Sequence, residues 1–218
     1  MTKRNHEREL EQRIAERTAE LSRANQKLRE EAAEREALVA QLREQEERMR
    51  FMAQHDALTG LPNRYSMQER LSLALEMAKR NRKKTAVMLV DLDDFKRVND
   101  TRGHAAGDQV LISVASRLRS SVRGSDTVAR IGGDEFVVIA SDLDRADGAS
   151  MIAEKIADMV QLPIAVEGGA PWKITCSIGI SVYPEDAQTA VDLLAQADRA
   201  MYAAKSESDK RFAYFASV

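Results

Sequence analysis

The sequence predicts an α/β or α+β domain, with helices over a central sheet, preceded by one long helix. Three observations carry this. Residues 1–59 contain neither glycine nor proline and are rich in Glu, Arg, Gln, Ala and Leu, all good helix formers. Beyond residue 55, short apolar runs rich in Val and Ile alternate with amphipathic stretches of helical period. Glycine, proline, asparagine and aspartate punctuate the boundaries between them.

The first segment carries a seven-residue register. Ile14, Leu21, Leu28, Arg35, Leu42 and Met49 share one position. Leu10, Arg17, Ala24, Glu31, Leu38, Gln45 and Met52 share the position three residues further on. This is an a/d seam, strong at a and poor at d. A helix of ~50 residues is ~75 Å long and has no globular core of its own. The pattern predicts a parallel coiled coil over residues 1–52 that joins two chains. The competing expectation is a solvated single helix held by pairs such as Glu16 and Glu20 with neighbouring arginines. Arg17, Glu31 and Gln45 in the seam make the coil marginal, so an upstream input can shift its register.

The stretch "HDALTGLPNRYS" ends the long helix with turn chemistry at Asp56, Gly60, Pro62 and Asn63. Residues 64–80 form an amphipathic helix. "TAVMLVDLDDF" is a strand buried on both faces, because its apolar run is continuous. "GDQVLISVASRLRSSV" is a helix with an apolar stripe at Val110, Leu111, Val114, Ala115 and Leu118. "VARIGGDEFVVIA" is a hairpin, and a helix follows near residues 146–160. "WKITCSIGISVYP" is a strand, "TAVDLLAQADRAMYAAKS" the last helix, and "FAYF" a short edge strand.

Composition narrows the function classes. The net charge of −2 over 218 residues does not suggest a nucleic-acid binder. The single cysteine, Cys176, sits in an apolar run and cannot form a disulfide within one chain, which suits a reducing, cytoplasmic setting. No apolar run approaches the ~20 residues of a membrane helix, and "MTKRNHEREL" lacks the apolar region of a secretory signal. His6, His55 and His104 show no zinc-ligand spacing.

The chemistry concentrates in two places. Asp91 and Asp93 end a buried strand and, by strand alternation, point the same way. Asp134 and Glu135 follow Gly132 and Gly133 at the tip of the hairpin, where the glycines permit a tight turn and leave room for a bulky ligand. Turn chemistry alone explains a Gly- and Asp-rich tip. If the two strands pair, however, Asp91 meets Asp134 and Glu135 at one edge of the sheet. Carboxylates without matching bases, histidine or thiol favour Mg²⁺ or Mn²⁺. Two such ions suit activation of a hydroxyl and stabilisation of a leaving phosphate.

"RIGGDEF" resembles the signature of the GGDEF-domain diguanylate cyclases. "HDALTGLPNR", "VDLDDFKRVNDTRGHAAGDQVL", "SIGIS" and "ADRAMYAAK" resemble other blocks of that family, in the same order, so the resemblance covers residues 53–218. It implies an α+β sandwich: a central, mostly antiparallel sheet flanked by helices, similar to the palm of nucleotidyl cyclases. It implies a transferase that condenses two GTP into cyclic di-GMP, a bacterial second messenger, and releases two pyrophosphates, using two Mg²⁺ (or Mn²⁺) per half-site. By the same resemblance Asp91, the Leu92 carbonyl, Asp134 and Glu135 hold metal, and Asp134 is the base for the ribose 3′-hydroxyl. Asn99 and Asp108 select guanine and His104 touches substrate, although taken alone Asn99 reads equally as a helix or turn cap and Asp108 as an N-terminal helix acid. The turn at Phe95 and Lys96 offers N–H groups to phosphate, Gly132 and Gly133 admit the nucleotide, and Lys205 adds charge. One departure stands out. Ser208 and Asp209 occupy the places of a Gly–Arg pair, leaving Lys210 or Arg211 to replace a phosphate-binding arginine.

One GTP per domain cannot close a two-fold cyclic product, so two domains must face each other, and the helix supplies a homodimer. "ERTAELSRANQKLREE" resembles helices that join sensors to such outputs, which implies an upstream sensor domain or protein. Arg123 and Asp126 match the RxxD site at which family members bind their own product as inhibitor. A domain that only senses GTP or cyclic di-GMP, and a coiled-coil adaptor, are the competing functions.

Overall fold

The computed structural model describes residues 2–167, 169–207 and 210–217. The chain divides into two compact units, residues 1–51 and 52–218. The first is the body of helix α1 (Thr2–Gln54). Leu10, Ile14, Leu21, Leu28, Leu38 and Leu42 all lie on its surface, between 50% and 64% exposed. Its side-chain pairs are local, such as Arg17–Glu20 at 3.0 Å and Arg48–Glu44 at 3.3 Å, and fully solvated. Such pairs contribute a few tenths of a kcal/mol each, about enough to bias a helix and not to fold a domain.

The second unit runs α2 (Arg64–Asn81), β1 (Lys84–Leu92), α3 (Phe95–Arg102), α4 (His104–Ser121), β2 (Thr127–Gly132), β3 (Glu135–Leu143), α5 (Gly148–Val160), β4 (Cys176–Tyr183), α6 (Ala190–Ser206) and β5 (Phe212–Tyr214). The five strands form one sheet in the order β2-β3-β1-β4-β5. Every pairing is antiparallel except β4–β5, which is parallel. β1, the central strand, is buried on both faces from Thr85 onward.

Strand alternation sorts the core into two layers. Ala86, Met88, Val90 and Leu92 of β1 join Phe136, Val138 and Ala140 of β3 and Ile178, Ile180 and Val182 of β4, beneath α4 and α5. Val87 and Leu89 join Ala129, Val137 and Ile139 on the opposite face, beneath Met67 and Leu71 of α2 and Leu193, Ala197 and Met201 of α6. The period continues to the strand ends. Asp91 and Glu135 therefore belong to the α2/α6 face.

β4 gives that face small residues: Ser177, Gly179 and Ser181. A Cβ at Gly179 would lie 2.0 Å from the Ala197 carbonyl oxygen and 2.2 Å from the Met201 nitrogen. Ser181 donates its hydroxyl to the Leu193 carbonyl at 2.8 Å. Helix α6 thus rests directly on the strand backbone. Two side-chain caps start the helices of this layer. Asn63 accepts from Ser66 N–H at 3.0 Å and Thr189 from Asp192 N–H at 3.1 Å.

Three local expectations need correction. Phe95 and Lys96 do not form a turn; they open helix α3, and the turn is made by Asp94 in the left-handed region at φ +53°. Only Val98 of this eight-residue helix is buried, so it has no apolar period to reveal it. Helix α4 starts at His104, three residues earlier than its apolar stripe suggests, after Gly103 at φ +81°. Regular strand β4 starts only at Cys176, while Trp172 exchanges backbone hydrogen bonds of 2.8 Å with Ile164 instead. Cys176 is 4% exposed, and burial pushes its thiol pKa up to about 12, as befits an inert core residue. Among the described residues no helix is long and apolar enough to cross a membrane.

Candidate active site

The site begins with register. Asp91 near the end of β1 lies directly opposite Glu135 at the start of β3. Gly132 and Glu135 close the β2–β3 hairpin around Gly133 and Asp134. Gly133 takes φ +50°, a conformation that a side chain would strain. The Asp134 carbonyl accepts from Leu92 N–H at 3.4 Å, which ties the turn to the end of β1. Three carboxylates are thus gathered by two adjacent strands and a two-residue turn.

Their environment is crowded with negative charge. Burial raises the Asp91 pKa, with Asp134 and Asp93 adding to the rise and the Lys205 ammonium opposing it. Burial likewise raises Glu135, helped by Asp91, Asp134 and Asp198 and opposed by Arg64. Lys205 from the last turn of α6 donates to Asp91 Oδ1 at 2.6 Å. Asp91 is 8% exposed, so this bond compensates a carboxylate that has left water. Asp93 lies in the turn just past the end of β1 and stays on the side of Ser177, which pairs with Asp91. Thr175 and Ser177 donate their hydroxyls to its carboxylate at 2.6 and 2.8 Å.

A set of hydrogen bonds holds the turn from behind. Arg130 donates to the Gly133 carbonyl through Nε at 3.0 Å and Nη2 at 2.7 Å. Its Nη1 grips both oxygens of Asp56, at 3.0 and 3.2 Å. Burial alone would raise the Asp56 pKa, but hydrogen bonds from Thr59 and Arg130 outweigh it and hold the carboxyl below its usual range. Arg64, at the start of α2, donates to the Ile131 carbonyl at 3.2 Å. The segment that follows α1 is therefore fastened to the glycine turn.

The remaining predicted residues fall in separate places. Phe95 and Lys96 are the first residues of α3, where backbone N–H groups lack helical partners. Asn99 lies within α3, and His104 and Asp108 within α4, so neither Asn99 nor Asp108 is a cap. A Cβ at Gly107 would lie 2.0 Å from Asn99 Oδ1, so the glycine makes room for that amide. Arg123 and Asp126 sit beyond the other end of β2, roughly 20 Å of strand from the glycine turn. Arg123 is exposed, but Asp126 is 4% exposed and accepts from the Arg123 N–H at 3.0 Å and the Ser141 N–H at 3.2 Å. Its first role is to hold that turn. Ser208 and Asp209 lie outside the described residues. Lys210 pairs with Glu207 at 2.7 Å and Arg211 with Asp158 of α5 at 2.5 Å.

Sequence reasoning passed over Arg64, Gly107, Arg130 and Asp198. Arg130 opens the quoted signature two residues before Gly132 and could have been found as a cation near two acids. Asp198 stands seven residues before Lys205, two turns back on the same helix face.

A sheet whose central strands gather carboxylates at one end, beside a lysine, is chemically suited to a phosphate-bearing ligand with a hard cation. Comparison with known proteins makes this specific. Residues 53–211 match the family "Diguanylate cyclase, GGDEF domain", and the chain belongs to that family. It is 42% identical over 203 residues to diguanylate cyclase TpbB of Pseudomonas aeruginosa, covering 93% of this chain and 47% of TpbB. The chain spans about half the length of that curated relative. The solved GGDEF domain of TpbB matches with a TM-score of 0.71 and 45% identity, over 73% of this chain and 93% of that one. The coiled coil and GGDEF domain of DgcB from Caulobacter crescentus, solved with c-di-GMP, matches with a TM-score of 0.73 and 30% identity, over 86% of this chain and 98% of that one. The mostly antiparallel, helix-flanked sheet and the long leading helix are those of the family.

The clasp between Asp56 and Arg130 yields a first prediction. Asp56→Ala and Arg130→Ala should each lower the unfolding free energy by about 2 kcal/mol, with a coupling of about 1 kcal/mol or more in the double mutant. Because the folded Asp56 pKa is depressed, the coupling is complete above about pH 4 and is lost as pH falls through the folded value. Urea unfolding of the four proteins at neutral and acid pH measures it, and additive effects at neutral pH would contradict the clasp.

Proposed function

We propose that the protein is a diguanylate cyclase that condenses two GTP into cyclic di-GMP and two pyrophosphates, at the interface of two GGDEF domains. The observation that carries this reading is the register that sets Asp91 against Glu135 with Asp134 at the adjoining turn. The family membership and the c-di-GMP bound to DgcB support it.

Asp91, the Leu92 carbonyl, Asp134 and Glu135 supply hard oxygen donors, and these suit Mg²⁺ or Mn²⁺. Among the described residues no three acidic, histidine or cysteine side chains converge closely enough to hold an ion alone. Substrate phosphate and water therefore complete the shell, as Mg²⁺ sites commonly require. Two bound ions would lower the pKa of the attacking hydroxyl and balance the charge of the leaving pyrophosphate. Asp134, half-buried at the turn, accepts the 3′-hydroxyl proton. Gly132 and Gly133, without side chains, let the nucleotide lie against the hairpin. Backbone N–H groups at Phe95 and Lys96 receive phosphate oxygens, and Lys205 adds a cation.

Guanine is read from the α3–α4 pair. The Asp108 carboxylate accepts from N1–H and the 2-amino group, which adenine cannot offer together, and the Asn99 amide donates to ring acceptors. His104 borders the same position. With Asp209 in place of a phosphate-binding arginine, and Lys210 and Arg211 each paired elsewhere, triphosphate affinity leans on Lys205 and the α3 N-terminus.

Each 3′-hydroxyl attacks the α-phosphate held by the opposite domain, so catalysis needs a pair. The exposed apolar stripe of α1 supports a two-chain coiled coil over residues 1–52, with the catalytic domain over 53–218. That coil raises the effective concentration of the second half-site and transmits the state of an upstream sensor. SiaD of Pseudomonas aeruginosa, 29% identical over 95% of this chain with a TM-score of 0.68, was solved with an activator protein, and this favours an input from a partner. Product feedback acts at Arg123, whose exposed guanidinium grips phosphate or a guanine edge while Asp126 shapes its turn.

Mass identification of products from Mg²⁺ with GTP or with ATP tests the reading. Cyclic di-GMP is expected from GTP alone, with a loss of 100-fold or more, on the order of a removed catalytic base, in Asp134→Asn. GTP bound without turnover by the dimer would instead favour a receptor. Arg123→Ala is expected to relieve inhibition by added product and leave the initial rate nearly intact. Inhibition that persists in this variant would remove the RxxD site from the account.

A further inference from the structure

Lys205 occupies an unusual position for a residue of a phosphate site. Its ammonium is not turned toward solvent to await an anion; it is bonded at 2.6 Å to the carboxylate that ends β1. The two partners differ sharply in exposure. The Asp91 side chain is 12% exposed and the Lys205 side chain 45%. Asp91 is fixed by strand pairing on both sides, to Glu135 and to Ser177. Lys205 reaches in from the last turn of α6 on a flexible four-carbon stem.

Two further features bear on this bond. The pocket holds more negative charge than the Lys205 ammonium and the Arg64 guanidinium offset, since Asp93, Asp134 and Glu135 adjoin Asp91 and Asp198 acts on Glu135. And the carboxylates do not converge as a ready cation site among the described residues. A lysine makes one point-charge contact here, without the two-pronged grip by which an arginine would lock a carboxylate. The bond is thus strong enough to neutralise Asp91 in the free protein and simple enough to be exchanged.

We propose that Lys205 is an exchangeable counter-ion: it neutralises Asp91 while the site is free of metal and moves to the triphosphate when metal and nucleotide enter together. This rests on the reading of Asp91 as a metal ligand given above. It makes Lys205 a competitor of metal alone and an ally of metal with nucleotide. Binding of the two becomes mutually dependent, because each supplies the charge that the other displaces. The exchange also keeps a buried carboxylate from standing unpaired at any stage.

The test is Mn²⁺ binding to the purified full chain, read from the electron paramagnetic resonance signal of free Mn²⁺, with no turnover involved. Lys205→Met removes the competitor and keeps the apolar stem; Lys205→Arg keeps the charge. Without nucleotide, Lys205→Met is expected to bind Mn²⁺ about fivefold or more tightly than the unaltered chain, the factor to which coupling in a partly exposed ion pair amounts. Lys205→Arg is expected to bind it no more tightly than the unaltered chain. With a GTP analogue whose α–β bridge is methylene, the order reverses, and the unaltered chain binds Mn²⁺ more tightly than Lys205→Met. In an Asp91→Asn background the difference between Lys205 and Met should vanish. Equal or weaker Mn²⁺ binding by Lys205→Met without nucleotide overturns the exchange while leaving the metal site standing. Absence of Mn²⁺ binding in every protein, with or without the analogue, overturns the metal reading and the exchange together. Circular dichroism of each variant verifies that it is folded.

Discussion

Everything at the candidate site follows from like charges held together at the end of two paired strands. Antiparallel pairing of β1 with β3 fixes Asp91 opposite Glu135, and the two-residue turn leaves Asp134 beside them. Repulsion and burial both oppose this arrangement, and both raise the carboxylate pKa values. A fold that stabilises it must provide rigid strands beneath and positive charge nearby. The continuous apolar run of β1 provides the first, because a one-residue slip would exchange the residues of the two packed layers and carry Asp91 off the α2/α6 face. Lys205 provides the second through its 2.6 Å bond to Asp91.

The rest of the second unit positions that charge. Small residues on one face of β4 let α6 approach the sheet backbone, and that approach brings Lys205 within reach of Asp91. On the other flank, Asp56, Arg130 and Gly133 form a chain of hydrogen bonds from the segment after the long helix to the glycine turn. The Asn63 amide donates to the Ala53 carbonyl at 2.9 Å and the Asn63 N–H to the Gln54 carbonyl at 3.0 Å, so the last turn of α1 is tied into the same segment. A change at the helix end and a change at the turn thus share bonded groups.

Much of this was legible in the sequence because alternation and periodicity are strong signals. The two-faced burial of β1, the hairpin around Gly133 and the stripe of α4 all follow from residue types at fixed spacing. The meeting of Asp91 with Glu135 followed once those strands were paired. What escaped has a common physical origin. Helix α3 buries only Val98, so nothing periodic announces it. Gly107 and Gly179 matter through what a side chain would strike, which depends on neighbours distant in sequence. Asp126 reads as a product-binding partner of Arg123, yet backbone N–H groups from two segments draw it inward. The bond between Asp91 and Lys205 spans 114 positions, and residue spacing carries no trace of it.

A metal platform at the strand-end carboxylates would hold its ions together with substrate phosphate. Anomalous scattering from crystals of the chain grown with Mn²⁺ and a non-reactive GTP analogue tests it most directly. The account predicts density for Mn²⁺ between the Asp91 carboxylate and those of Asp134 and Glu135, touching the analogue's phosphates. Nucleotide bound on the hairpin with no anomalous peak at those carboxylates would contradict it.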